Sequence, residues 1–160
     1  MRQSQSQKDA NRYADNLCSD ISSWEQEIGT IAASLDSGSA KSVARAKLNR
    51  AASVTTALVS DIHQLEVPSV DGAAEAKGDV DQFALDSVST VATVQAGVSR
   101  LQTNGTDATN VALLVVPIGL QLTNLVKDGK STVASLEHVK RPFEKAVKKS
   151  DACKSLNPSS

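Results

Sequence analysis

Apolar residues recur along this chain in steps of three and four, with polar residues between them. In the first such stretch Tyr13, Leu17, Ile21, Trp24, Ile28, Ile31 and Leu35 advance by 4, 4, 3, 4, 3 and 4. That spacing returns to one side of an α-helix at every turn and predicts a single apolar seam, close to a heptad. The run DSGS (36–39) ends it, with Gly38 suited to a left-handed cap. A second seam runs through Ala44, Leu48, Ala51, Thr55, Leu58, Ile62 and Leu65. It stops before Pro68, which disfavours helix in the residue ahead of it.

The third predicted helix covers about residues 72–102, through Ala73, Ala76, Val80, Phe83, Val91, Val94, Val98 and Leu101. Valine is a mediocre helix former, but the spacing outweighs its β preference. TNGTD (103–107) is a loop signal. The fourth helix starts near Asp107, a candidate cap, and reaches about Lys149. Pro117 and Pro142 lie inside it, so it is expected to kink, or to split into a long helix and a short one starting at Pro142.

Four long helices with short connections predict an all-α, antiparallel up-down four-helix bundle. The expected domain is 13–153, with polar, weakly patterned tails at 1–12 and 154–160. Composition refines this picture. Hydrophobic residues make up 40% of the 160 but aromatic ones only 2%, so the core is built from small side chains that let helices approach closely. A net charge of −1 argues against nucleic acid as the main partner. No run approaches the roughly 20 apolar residues of a membrane span. The richest, VALLVVPIGLQL (111–122), is short and carries Pro117 and Gly119. The opening MRQSQSQKDANR has no apolar stretch of signal-peptide type, so placement must rest on other features.

The two cysteines supply one. In an up-down bundle the start of the first helix and the end of the fourth lie together, and Cys18 and Cys153 occupy those places. The predicted state is a disulfide between them; two unrelated buried thiols, or a metal or catalytic role, are the alternatives. Neither cysteine has a histidine or second cysteine at metal-motif spacing. A bridge implies an oxidising compartment, hence a secreted or envelope-associated protein, with a cytoplasmic location as the alternative.

ADNLCSDISSWEQEI, LEVPSVDGAAEAKGDVDQFA and the late cysteine resemble small extracytoplasmic helical proteins and lipoproteins of actinobacteria. Those share a Cys-then-Trp first helix and a Pro-x-x-x-Gly-x-x-x-Ala-Lys start to a later one. The resemblance implies fold and location, not chemistry. The residues DNL before Cys18 are not those of a lipoprotein cleavage site.

No catalytic grouping emerges. His63 and His138 are the only histidines, and no Glu-x-x-His pair of the di-iron type, nucleophile elbow or phosphate loop occurs. The expectation is a non-enzymatic binding module without cofactor or metal, acting on an envelope or protein partner. Two segments are candidate contacts. A kink at Pro117 is expected either to open an apolar cavity lined by Leu113, Val116, Pro117, Leu120 and Leu122, or to leave 111–122 as an exposed patch. The cavity would make the chain a small-ligand carrier or sensor; a cytosolic adhesion-type bundle is a third reading. The basic stretch KRPFEKAVKK, with Lys140, Arg141, Lys145, Lys148 and Lys149, is the second candidate contact, for anionic envelope polymer or lipid. Residues 51–99 carry seven acids against Lys77 alone, and opposite charge is expected to favour pairing of the third helix with the fourth. NGT (104–106) matches a glycosylation sequon.

Overall fold

A computed structural model describes residues 5–35, 40–103, 108–139 and 143–156, with side chains in all of these except 102, 103 and 108–110. Six helices are described: α1 (Gln5–Ser34), α2 (Lys41–Gln64), α3 (Ala73–Thr103), α4 (Ala108–Leu136), α5 (Phe143–Lys149) and α6 (Asp151–Leu156). The four long ones pack together, α1 against α2 and α4, and α3 against α2 and α4. The predicted seams are the core. Leu17, Ile21, Ile28, Leu48, Val80, Phe83, Val94, Leu122 and Leu136 are all buried to within 2% of full burial. Small residues among them, such as Ala14, Ala44, Ala51 and Ala76, are fully covered and let the helices close on one another.

Helix α1 starts at Gln5, eight residues ahead of the seam's first member, and buries Gln7 and Ala10. A polar Gln and a small Ala carry little hydrophobic signal, which is why the sequence pattern placed residues 5–12 in a tail. The connection after α2 turns at Gly72, whose φ of 87° lies in the left-handed region that disfavours a side chain. Helix α4 passes through Pro117 without a break. It ends at Leu136, and two short helices follow where the sequence suggested one. Ser150 divides them. Its backbone N–H donates to the carbonyls of Ala146 and Val147, and its hydroxyl accepts from the N–H of Cys153 at 3.3 Å, a cap that starts α6. The second helix carries the chain past Cys153 to Leu156, which is buried where a tail was expected.

Helices α5 and α6 pack on α1. Tyr13 and Phe143 meet with ring centroids 5.5 Å apart, and Cys18 is bonded to Cys153 across a Cα separation of 4.9 Å. Both cysteines are buried, and no described cysteine is free. The chain closes a loop of 135 residues through this bond.

Contacts at the middle of the bundle are specific. Between α1 and α2, Trp24 meets Thr55, Glu27 pairs with Arg50, and Lys47 donates to the carbonyl of Ser34. Between α1 and α4, Glu25 pairs with Lys130 at 3.1 Å, and Gly119 lies against Leu35. Between α3 and α4, Gly97 receives Ile118, and Gly129 receives the ring of Phe83. Helices α3 and α4 pack on each other, as the expected pairing has it. The described ion pairs of those helices join Lys77 to Asp81 within α3 and Lys130 to Glu25 of α1. Small-residue contacts join α3 to α4. Gly38, the sequon at 104–106, Asp107 and Pro142 lie outside the described residues.

Candidate functional site

Helix α4 has two apolar sides. One carries Val111, Val115, Ile118, Leu122 and Leu125, spaced 4, 3, 4 and 3 apart and facing the core. The other carries Leu113, Val116 and Leu120, spaced 3 and 4 apart, and these remain 69%, 48% and 62% exposed. Pro117, also exposed, sits among them. From residue 108 to residue 126 the helix has no charged residue. The outer stripe is therefore continuous and uncharged. By length and composition Val111–Leu136 is the one described helix apolar enough to cross a membrane, with a mean hydropathy of 1.4 over 18 residues, a third of which (33%) are buried.

The five residues expected to enclose a cavity are not brought together. Leu122 is in the core, while Val116 and Leu120 face outward. Leu113 and Pro117 line a shallow groove of about 340 Å³ against Thr93, Ala96, Gly97 and Arg100 of α3. Behind that groove the packing is close. A methyl placed on Gly97 would run into the Ile118 side chain, and one on Gly119 would meet Leu35 at 3.6 Å. The helix continuing through Pro117 opens no hole there, so the segment is a patch. In sequence the two outcomes are indistinguishable, because both require apolar residues around a proline.

Of the basic stretch, Lys140 and Arg141 lie outside the described residues. Lys145, Lys148 and Lys149 are exposed on α5, and Lys148 is paired with Glu144 at 2.9 Å. His63 and His138 are exposed on different segments. Among the described residues no three His, Cys, Asp or Glu side chains gather as a metal would require.

A larger groove, about 500 Å³, lies where no site was expected. One wall is the first turns of α1, with Asp9, Arg12, Tyr13 and Asn16; the other is the end of α2 and the segment after it, with Gln64, Glu66 and Val67. Tyr13 is 4% exposed, and its hydroxyl makes no hydrogen bond among the described residues. Burial, with the negative charge of Asp81 adding to it, pushes its pKa up to about 12, so the hydroxyl stays protonated. Arg12 and Glu66 are both exposed and form no ion pair with each other or with any other described residue. The sequence pattern missed this groove because it set residues 1–12 aside as a tail. A signal was available in Ala10, which lies one turn before Tyr13 on the same side of the helix.

Comparison with known protein families, curated proteins and solved structures finds no match to this chain.

Proposed function

We propose that the chain is a non-enzymatic, extracytoplasmic helical bundle acting as a binding or interaction module at the cell envelope. One observation carries the reading: the uncharged outer stripe of α4 formed by Leu113, Val116 and Leu120. A helix apolar on opposite sides is normally covered on both, and α1 and α3 cover only one. A contiguous exposed patch of large aliphatic side chains on a small protein marks a contact surface. Lys145, Lys148 and Lys149 form a subordinate basic contact on α5.

The extracytoplasmic placement draws on the buried Cys18–Cys153 bond, which is characteristic of oxidising compartments. It agrees with the resemblance to actinobacterial envelope proteins. The four long helices are read as an antiparallel up-down bundle. In support, residue numbers rise on one helix as they fall on its neighbour: Trp24, Glu27 and Ser34 meet Thr55, Arg50 and Lys47. The same holds for Phe83 and Gly97 of α3 against Gly129 and Ile118 of α4.

The test is retention of a solubilised envelope fraction on the immobilised protein, comparing wild type with L113S/L120S. Both residues are exposed, so the variant keeps its helicity, checked by circular dichroism. The variant is expected to retain on the order of tenfold less, as for loss of a central apolar anchor. Equal retention by both proteins, or none by either, overturns the reading.

A further inference from the structure

We infer that the groove between the start of α1 and the segment following α2 is a binding site for a small zwitterion, the ammonium–carboxylate pair of a free amino acid or short peptide. The inference is independent of the α4 surface and rests on what lines the groove.

Three groups there lack partners among the described residues. Tyr13 lines the groove, and its hydroxyl, which is not enclosed away from solvent, makes no hydrogen bond among the described residues. Arg12 brings a positive charge from α1, and Glu66 brings a negative charge from the opposite wall. Neither charge forms an ion pair with a described residue. A ligand with only one sign of charge would leave one of them unanswered. A ligand carrying both answers both: its carboxylate accepts from the Arg12 guanidinium and the Tyr13 hydroxyl, and its ammonium donates to the Glu66 carboxylate. Asp9 is a weaker second acceptor, since it already takes a 2.8 Å hydrogen bond from Gln5.

Size agrees with this class. About 500 Å³ accommodates an amino acid or dipeptide and its hydration, and Val67, 37% exposed at the rim, offers an apolar contact for one short side chain. With few apolar walls the site gains little from the hydrophobic effect, so affinity falls in the range of about 10 μM to 1 mM.

The experiment is a calorimetric titration of the whole chain with four probes: L-alanine, L-alanyl-L-alanine, N-acetyl-L-alanine and L-alanine methyl ester. The expected result is saturable binding of a zwitterionic probe, at least about tenfold weaker when either charged end is blocked. Alanine against dialanine tells a free amino acid from a peptide. R12Q and E66Q, both at exposed positions, are each expected to weaken binding about tenfold, and Y13F several-fold while keeping the ring that packs on Phe143. No saturable binding of either zwitterion up to about 10 mM overturns the inference, as does equal binding of blocked and unblocked probes. Undiminished affinity in both R12Q and E66Q overturns it too. Envelope retention by the α4 surface is a separate measurement, so the two readings fail separately.

Discussion

The indole N–H of Trp24 on α1 donates a 2.9 Å hydrogen bond to the hydroxyl oxygen of Thr55 on α2, inside the core. Both residues are at most 3% exposed, and the indole also meets Phe83 of α3 edge-on at 5.6 Å. One hydrogen bond and one ring contact of Trp24 thus tie three helices together within the core. Thr55→Val keeps the shape and removes the acceptor, leaving a buried N–H without a partner. The expected cost is about 1–3 kcal/mol. Thr55→Ser keeps the hydroxyl and loses one methyl, about 0.8 kcal/mol. Urea unfolding followed by fluorescence of Trp24, the only tryptophan, ranks the two. A valine variant as stable as wild type would show the bond carries no weight.

Removing the Cys18–Cys153 bond tests the closure of the bundle. A crosslink spanning 135 residues restricts the unfolded chain by up to about 5 kcal/mol. C18A/C153A is expected to unfold at markedly lower denaturant, with a loss of about 2–5 kcal/mol. In the wild type, thiol reagents should find nothing to label until the chain is both unfolded and reduced, because both sulfurs are covered. A loss below about 1 kcal/mol would mean that packing of α5 and α6 on α1 holds the ends together without it.

The heptad-like seams made the four long helices legible, because Leu, Ile and Val at every turn are what burial demands. The cysteine pairing was legible from the position of the two residues in that arrangement alone. The short helices α5 and α6 were not, because their division depends on Ser150 capping a turn, a local hydrogen bond with no periodic signal. Nor was the side of α4 that faces out. Leu113 and Leu122 are alike as residues, and the packing of α4 on α1 and α3 shows which is covered.

Glycines separate close packing from mere helix propensity. At Gly129 an added methyl meets the Phe83 ring at 3.1 Å and Trp24 at 3.5 Å. Neither ring can swing aside in a filled core, so Gly129→Ala is expected to destabilise by about 1–3 kcal/mol despite the better helix former. At Gly29 nothing lies within 4 Å. Gly29→Ala should therefore gain up to about 1 kcal/mol. Thermal unfolding of the two variants should move in opposite directions; a shift of the same sign in both would refute the packing account.

Asp20 of α1 has its pKa raised, by partial burial first and by the charge of Asp61 on α2 second. An acid with a raised folded pKa binds its proton more tightly when folded. Its favourable contribution is complete below the ordinary carboxylate value and is lost as pH rises through the folded one. Asp20→Asn is therefore expected to be more stable than wild type at pH 7 and to lose that advantage near pH 3. Denaturant midpoints at the two pH values check this; an advantage unchanged between them would assign the effect to something other than titration.

Tyr13 gives the corresponding signal at high pH. Its phenol is held up to about 12, against about 10 in the unfolded chain, by burial and by the charge of Asp81. Between those values the unfolded chain has released the proton and the folded chain has not, so stability falls with each step in pH. The fall begins near pH 10 and is complete above about 12. Tyr13→Phe keeps the contact with Phe143 and removes the ionisation. Its stability should decline less over this window, the difference appearing only above about pH 10. Tyrosinate absorbance gives a second reading, because Tyr13 is the only tyrosine in the chain. A titration midpoint near the ordinary value would show that the burial of Tyr13 does not hold the proton on its hydroxyl.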